Sequence, residues 1–249
     1  MTNGLQNTMN GWRKRIGYIS PTVLETIVHD FFRFAPPGIG FVGITSAIGG
    51  WAKDQFDMAL NEVVENAKYL AVRKVDYIIH AGTPLIVQRG KGADMELISR
   101  IREATGLEST TSIRSQILAM QHLGIRRVAF ASPYPEDVQR QTIDFLRAHD
   151  FEIVKEASMN VGFMVLQDVP PHEIYRFAGN VLRAAPDADG LYIPCPQWQV
   201  QEAVEAIERD FGKPVVAGDP ADFWAALRAL GIRDRIEGYG RLLRSLSEG

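Results

Sequence analysis

The 249-residue sequence predicts an α/β fold: two pseudo-symmetric Rossmann-like lobes, each a mainly parallel sheet flanked by helices, with the active site in the cleft between them. Three observations predict it. Short apolar runs alternate with helical stretches, several of which end on glycine. Several of the runs are continuous rather than alternating, which suits strands covered on both faces. One strand-plus-turn pattern also occurs twice. Arg15-Ile16-Gly17-Tyr18-Ile19-Ser20-Pro21-Thr22 is matched by Arg127-Val128-Ala129-Phe130-Ala131-Ser132-Pro133-Tyr134, 112 residues on (127 − 15). Asp76 to Gly82 is matched by Asp189 to Cys195, 113 residues on (195 − 82).

The elements follow in chain order. Ile16–Ile19 and Gly40–Thr45 are apolar runs of strand length. Asp54–Arg73 places Met58, Val63, Ala67 and Leu70 at near-helical spacing. Tyr77–His80 is the next strand. Helix Met95–Thr105 stops at Gly106, and helix Ser112–His122 stops before Gly124. Val128–Ala131, Glu152–Ala157, Leu191–Ile193 and Pro214–Ala217 supply the remaining strands. Helices Pro135–His149, His172–Ala185, Gln199–Phe211 and Asp222–Leu230 fill the intervals, several with Pro or Asp near the start. Residues 1–14 read as a flexible N-terminal tail, 15–110 with 220–249 as lobe one, and 111–219 as lobe two.

Composition narrows the function. The chain is 46% hydrophobic and 23% charged, which excludes disordered and fibrous classes. The net charge of −3 lacks the basic excess of a nucleic-acid binder. No apolar run reaches the roughly 18 residues of a membrane span, and residues 1–15 lack the apolar stretch of a signal peptide. A cytoplasmic enzyme or binding protein is expected, with oligomerisation left open. The lone cysteine, Cys195, can form neither an internal disulfide nor a cysteine zinc cage. No histidine pair has metal-ligand spacing, so no metal is expected.

Ligands of open parallel sheets sit beyond the carboxyl ends of the strands. Four such loops carry Ser20-Pro21-Thr22, Gly82-Thr83-Pro84, Ser132-Pro133-Tyr134 and Cys195-Pro196. The symmetric mate of Cys195 is Gly82, so one side of the cleft has a thiol and the other has no acid. Cys195 is expected where a strand end meets a helix start, a position that favours thiolate. Thr83 and Tyr134 offer hydroxyl donors to a carboxylate or an enolate oxyanion. His80 reads as a core residue; His29, His122, His149 and His172 read as solvated helix positions. Gly38-Ile39-Gly40-Phe41-Val42-Gly43 spells a dinucleotide fingerprint but opens a strand instead of a helix, which excludes that reading. Arg89-Gly90-Lys91-Gly92 is read either as an anion site at a helix start or as a basic loop over the cleft.

These loops resemble the aspartate/glutamate racemase superfamily, within it the arylmalonate decarboxylases and maleate cis–trans isomerases. The similarity runs from about Ile16 to Leu243. It rests on Gly82-Thr83, Glu103-Ala104-Thr105-Gly106-Leu107, Thr110-Thr111, Leu123-Gly124-Ile125-Arg126-Arg127-Val128-Ala129, Tyr134 with Asp137-Val138, and Ala185-Pro186-Asp187-Ala188-Asp189-Gly190. Cys195, Phe223-Trp224 and Gly238-Tyr239-Gly240-Arg241-Leu242 complete it. The resemblance implies two lobes around one site, no cofactor and a small carboxylic acid substrate. Racemases and isomerases of the family use two cysteines; the decarboxylases have glycine at the first position, as Gly82 is here. It implies decarboxylation of a substituted malonate, with Cys195 protonating an enediolate and Thr83 and Tyr134 binding the retained carboxylate. The alternative is a maleate isomerase or an Asp/Glu-type racemase acting through Cys195. Ser20, Pro21, Val161 and Met164 are implied as pocket walls, and Asn160 lies near a substrate-binding Asn of the isomerases. Two departures stand out: Pro84 replaces a serine ligand, and Pro196 replaces a glycine, removing an N–H donor.

Overall fold

A computed structural model describes residues 11–248. The first sheet is built from β1 (Lys14–Ser20), β2 (Ile39–Thr45), β3 (Tyr77–His80) and β4 (Ser109–Thr111). The second uses β5 (Arg127–Ser132), β6 (Glu152–Ser158), β7 (Gly190–Ile193) and β8 (Val215–Ala217). Their spatial orders are β2-β1-β3-β4 and β6-β5-β7-β8, the same order twice, with every pairing parallel. The helices are α1 (Glu25–Phe34), α2 (Lys53–Val72), α3 (Thr83–Val87), α4 (Ala93–Thr105), α5 (Ser112–His122), α6 (Glu136–Arg147), α7 (Pro171–Arg183), α8 (Gln201–Phe211), α9 (Gly218–Ala229) and α10 (Gly240–Arg244). Among the described residues no helix is long and apolar enough to cross a membrane.

The internal repeat extends to individual hydrogen bonds. Asp76 accepts the Arg15 backbone N–H at 2.8 Å, and Asp189 accepts that of Arg127 at 2.7 Å. Each carboxylate thus fastens the start of one central strand to the loop before its neighbour. Ser20 Oγ accepts the Thr22 N–H and Ser132 Oγ the Tyr134 N–H, both at 3.3 Å. These paired serines shape the turns that leave β1 and β5.

The central strands are buried end to end where they carry the core: Ile16, Tyr18 and Ile19 in β1, Val128 and Phe130 in β5. Full burial of each such side chain contributes about 1.5–3 kcal/mol. Around Phe223 of α9, the rings of Tyr18, Phe31, Phe34 and Phe41 gather with centroids 5.0–6.2 Å away. Helix α9, late in the chain, therefore completes the core of the first sheet.

The expected tail over residues 1–14 needs correction. Residues 1–10 lie outside the described residues. Lys14 already belongs to β1, and Arg13 grips both Asp234 carboxylate oxygens at 2.9 and 2.7 Å. A bidentate Arg–carboxylate pair fixes this segment. Gly38–Gly43 leads into and lies in β2 with no helix opening on it, in keeping with the rejection of a dinucleotide loop.

Candidate active site

The carboxyl ends of β1, β3, β5 and β7 open onto one cleft, lined by Ser20, Pro21, Gly82, Pro84, Tyr134, Cys195 and Pro196. Seven of the sequence-derived site residues are therefore neighbours in space. Trp51, Phe163, Leu166, Leu85 and Gln197 complete most of the wall. The lining holds no Lys, Arg or His among the described residues. The cavity itself is small, ≈ 40 Å³, room for a few waters at most.

Cys195 lies just beyond β7 and is 4% exposed. Burial pushes its thiol up to about 12, against a smaller opposing pull from the Gln197 and Trp198 backbone N–H groups. This corrects the expected thiolate. Helix α8 begins only at Gln201, too far along to present its N-terminus to the sulfur, and desolvation wins. Burial therefore keeps Cys195 as a neutral S–H at neutral pH.

Tyr134 is buried, and its hydroxyl has no hydrogen-bond partner in the protein. Burial holds it as O–H far above pH 10, with the nearby Cys195 sulfur adding to the shift. A buried, unpaired donor costs about 1–3 kcal/mol until something accepts from it. The Ser20 hydroxyl accepts from Thr22 and keeps its own O–H to donate.

Gly82 is the N-cap of α3 at φ 98°. A Cβ there would lie 2.9 Å from Pro21 Cγ and 3.1 Å from Leu85 Cδ1. The site thus accommodates glycine opposite Cys195 on both conformational and steric grounds. Pro84 occupies the first turn of α3 and, like Pro196, offers no N–H.

Thr83 does not line the cleft. Its hydroxyl is fully buried and donates at 3.0 Å to Gln116 Oε1. That bond uses its single proton, so it faces the helix behind the site. Asn160 is exposed at φ 49° and lies outside the lining. It is a turn residue after β6, and Ala47 at φ 51° fills the equivalent position after β2. Asn tolerates this left-handed backbone better than most residues. Val161 packs against the second core, and Met164 is 60% exposed. The walls are instead Phe163 and Leu166, which point the other way from the short 3₁₀ segment Phe163–Asp168. Arg89 pairs with Asp57 at 2.7 Å and is not part of the cleft.

Sequence reasoning missed the roof. Trp51, from the loop after β2, meets Phe163 edge-on at 4.8 Å and Tyr134 at 5.4 Å. A lone aromatic beside Gly49 and Gly50 was the available signal. It also missed Gln116, whose amide sits between Thr83 and the Pro194 carbonyl. His80 is a core residue as expected: burial holds it down to about 4, hence neutral. Of the helix histidines, His122 is not simply solvated; it bonds Ser245 Oγ at 2.8 Å. No group of three or more His, Cys, Asp or Glu side chains among the described residues is arranged to hold a metal.

Comparison with known proteins fits this geometry. The arylmalonate decarboxylase family profile matches residues 16–243. The chain belongs to the arylmalonate decarboxylase family. It is 30% identical over 229 residues to the arylmalonate decarboxylase of Bordetella bronchiseptica, covering 91% of this chain and 95% of that one. A maleate isomerase of Pseudomonas putida is 26% identical over 183 residues, 70% of this chain and 72% of its own length. A liganded crystal structure of an arylmalonate decarboxylase double variant superposes with a TM-score of 0.87 at 29% identity, covering 92% of this chain and 98% of that one.

Proposed function

We propose that this family member decarboxylates a substituted malonate, with Cys195 as the acid. The observation that carries the reading is a buried, protonated thiol and an unpartnered tyrosine hydroxyl on one apolar cleft, with no second acid opposite.

The chemistry follows from those groups. One carboxylate of the diacid lies among Trp51, Phe163 and Leu166, where its charge is poorly solvated and its loss as neutral CO₂ is favoured. The C–C bond breaks and its electron pair stays on the α-carbon, delocalised into the retained carboxylate as an enediolate. Tyr134, helped by Ser20, donates to that oxygen pair as charge builds. Cys195 gives its proton to the α-carbon. Solvent then returns a proton to the thiolate, so the net reaction consumes one proton and releases CO₂ and a monocarboxylate. The scheme uses no metal or organic cofactor. Two opposed bases, as in a racemase, have no counterpart at Gly82.

The test is proton NMR in D₂O with phenylmalonate and methyl-phenylmalonate, beside Cys195→Ser. Loss of a carboxyl group with deuterium at the α-carbon, abolished by the substitution, is the expected result. Interconversion of maleate and fumarate without CO₂ loss would favour the isomerase reading instead. Full turnover in Cys195→Ser would end both.

A further inference from the structure

Cys195 must be held to within a fraction of an ångström to deliver its proton, yet its loop is irregular and follows a strand of four residues. Two contacts from other elements fix it. On one side, the first residue of α9, Gly218, lies against the loop. A Cβ at Gly218 would be 2.8 Å from the Pro194 carbonyl oxygen, 2.9 Å from Pro196 N and 3.1 Å from Pro196 Cδ. Two of these atoms belong to rigid backbone that cannot yield as a side-chain tip would. Gly218 is outside the left-handed region, so the requirement here is space alone. On the other side, Gln116 Nε2 donates to the same Pro194 oxygen at 3.2 Å. Its Oε1 accepts from Thr83 at 3.0 Å and from the Tyr192 hydroxyl. Gln116 is fully buried, and these three bonds fix which way its amide faces.

We infer that Gly218 and Gln116 are positioning residues that clamp the Pro194–Pro196 backbone, and with it the Cys195 sulfur, between α9 and α5. Neither touches the substrate. Gln116 also ties this loop to the Gly82–Thr83 turn of the first sheet, so the thiol keeps its distance from the opposite wall. The inference rests on the reading of Cys195 as the acid for its effect on turnover, but not for its effect on the thiol.

The test uses the full chain with Gly218→Ala and Gln116→Met, each checked for folding by circular dichroism. The control is Gly179→Ala, where a Cβ would press 2.8 Å from Phe211 Cζ in the packing of α7 on α8, away from the cysteine loop. In both clamp variants kcat for phenylmalonate should fall by about tenfold to a hundredfold with little change in KM, as a misplacement near 1 Å produces. Iodoacetamide labelling of Cys195, read by mass, should accelerate as the loop loosens. The control should keep the parent labelling rate. Parent values of both kcat and labelling in either folded variant would overturn the clamp, as would equal acceleration in the control. If Gly218→Ala does not fold, Gln116→Met decides. Labelling needs no substrate, so failure of the decarboxylase reading and failure of the clamp are told apart.

Discussion

The turns after β3 and β7 occupy the same place in two copies of one architecture, yet they carry opposite chemistry. After β7 the chain presents Cys195, buried and protonated. After β3 it presents Gly82 at φ 98°, walled in by Pro21 and Leu85. Strand order, paired aspartates and paired turn serines are preserved between the halves. The difference teaches that a duplicated frame can be kept while its two active positions diverge. A single thiol facing a wall suits the proposed reaction, which delivers a proton from one side.

The largest effect should come from the position proposed to carry the acid. Cys195→Ala should lower kcat by about a hundredfold to ten-thousandfold, the usual contribution of a general acid; steady-state CO₂ release checks it. Tyr134→Phe should cost about a hundredfold to a thousandfold, as loss of one oxyanion donor does. It should leave the fold intact, because its hydroxyl pairs with no protein group.

The mate position sharpens the comparison from the other side. Gly82→Cys should not restore a symmetric pair. A side chain at φ 98° costs about 1–3 kcal/mol, and its Cβ meets the Pro21 ring. A lower melting temperature with no α-proton exchange is expected. Rapid α-proton exchange by this variant would show that the wall is not what forbids the second acid.

A smaller effect lies behind the site. Burial holds the Asp222 carboxyl up at about 8, partly offset by the Ser112 and Tyr18 hydroxyls. Its folded value lies above the ordinary 3.8. The folded protein therefore keeps a proton that the unfolded chain has released, and stability falls as pH rises from about 4 through about 8. His80 works in the opposite sense: with a folded value near 4 against 6.5, it costs stability as pH falls below 6.5. Asp222→Asn should flatten the loss between pH 5 and pH 8 in urea unfolding. Asp219, Asp30 and Glu208 are also raised by burial and should retain the rest of the slope.

The frame was legible because seven of the eight strands show as short runs of strand length between helical stretches, the central ones continuous and apolar because they are buried, although β6, with Glu152, Lys155 and Glu156, is not. The exception, β4, is Ser109-Thr110-Thr111. It is an edge strand of three polar residues, and nothing in its hydropathy marks it. At the site, Cys195, Tyr134, Gly82 and the prolines were legible because they follow central strands. Trp51, Phe163 and Leu166 were not, because they come from outer-strand loops whose path no periodicity constrains. Val161 and Met164 were chosen in place of Phe163 and Leu166, an error of register within a few residues of irregular chain. Thr83 was found in the right place, but its direction depends on Gln116, a helix residue 33 positions away.

The ring of aromatics around Phe223 has a consequence for how the protein comes into being. All four strands of the first sheet are complete by Thr111, but Phe223 follows more than a hundred residues later. During synthesis, Tyr18, Phe31 and Phe41 wait without their partner while the second sheet is made. The half that leaves the ribosome first is thus the half finished last. A chain stopped short of Gly218 would leave those rings uncovered and sticky, a natural target for chaperones and for aggregation.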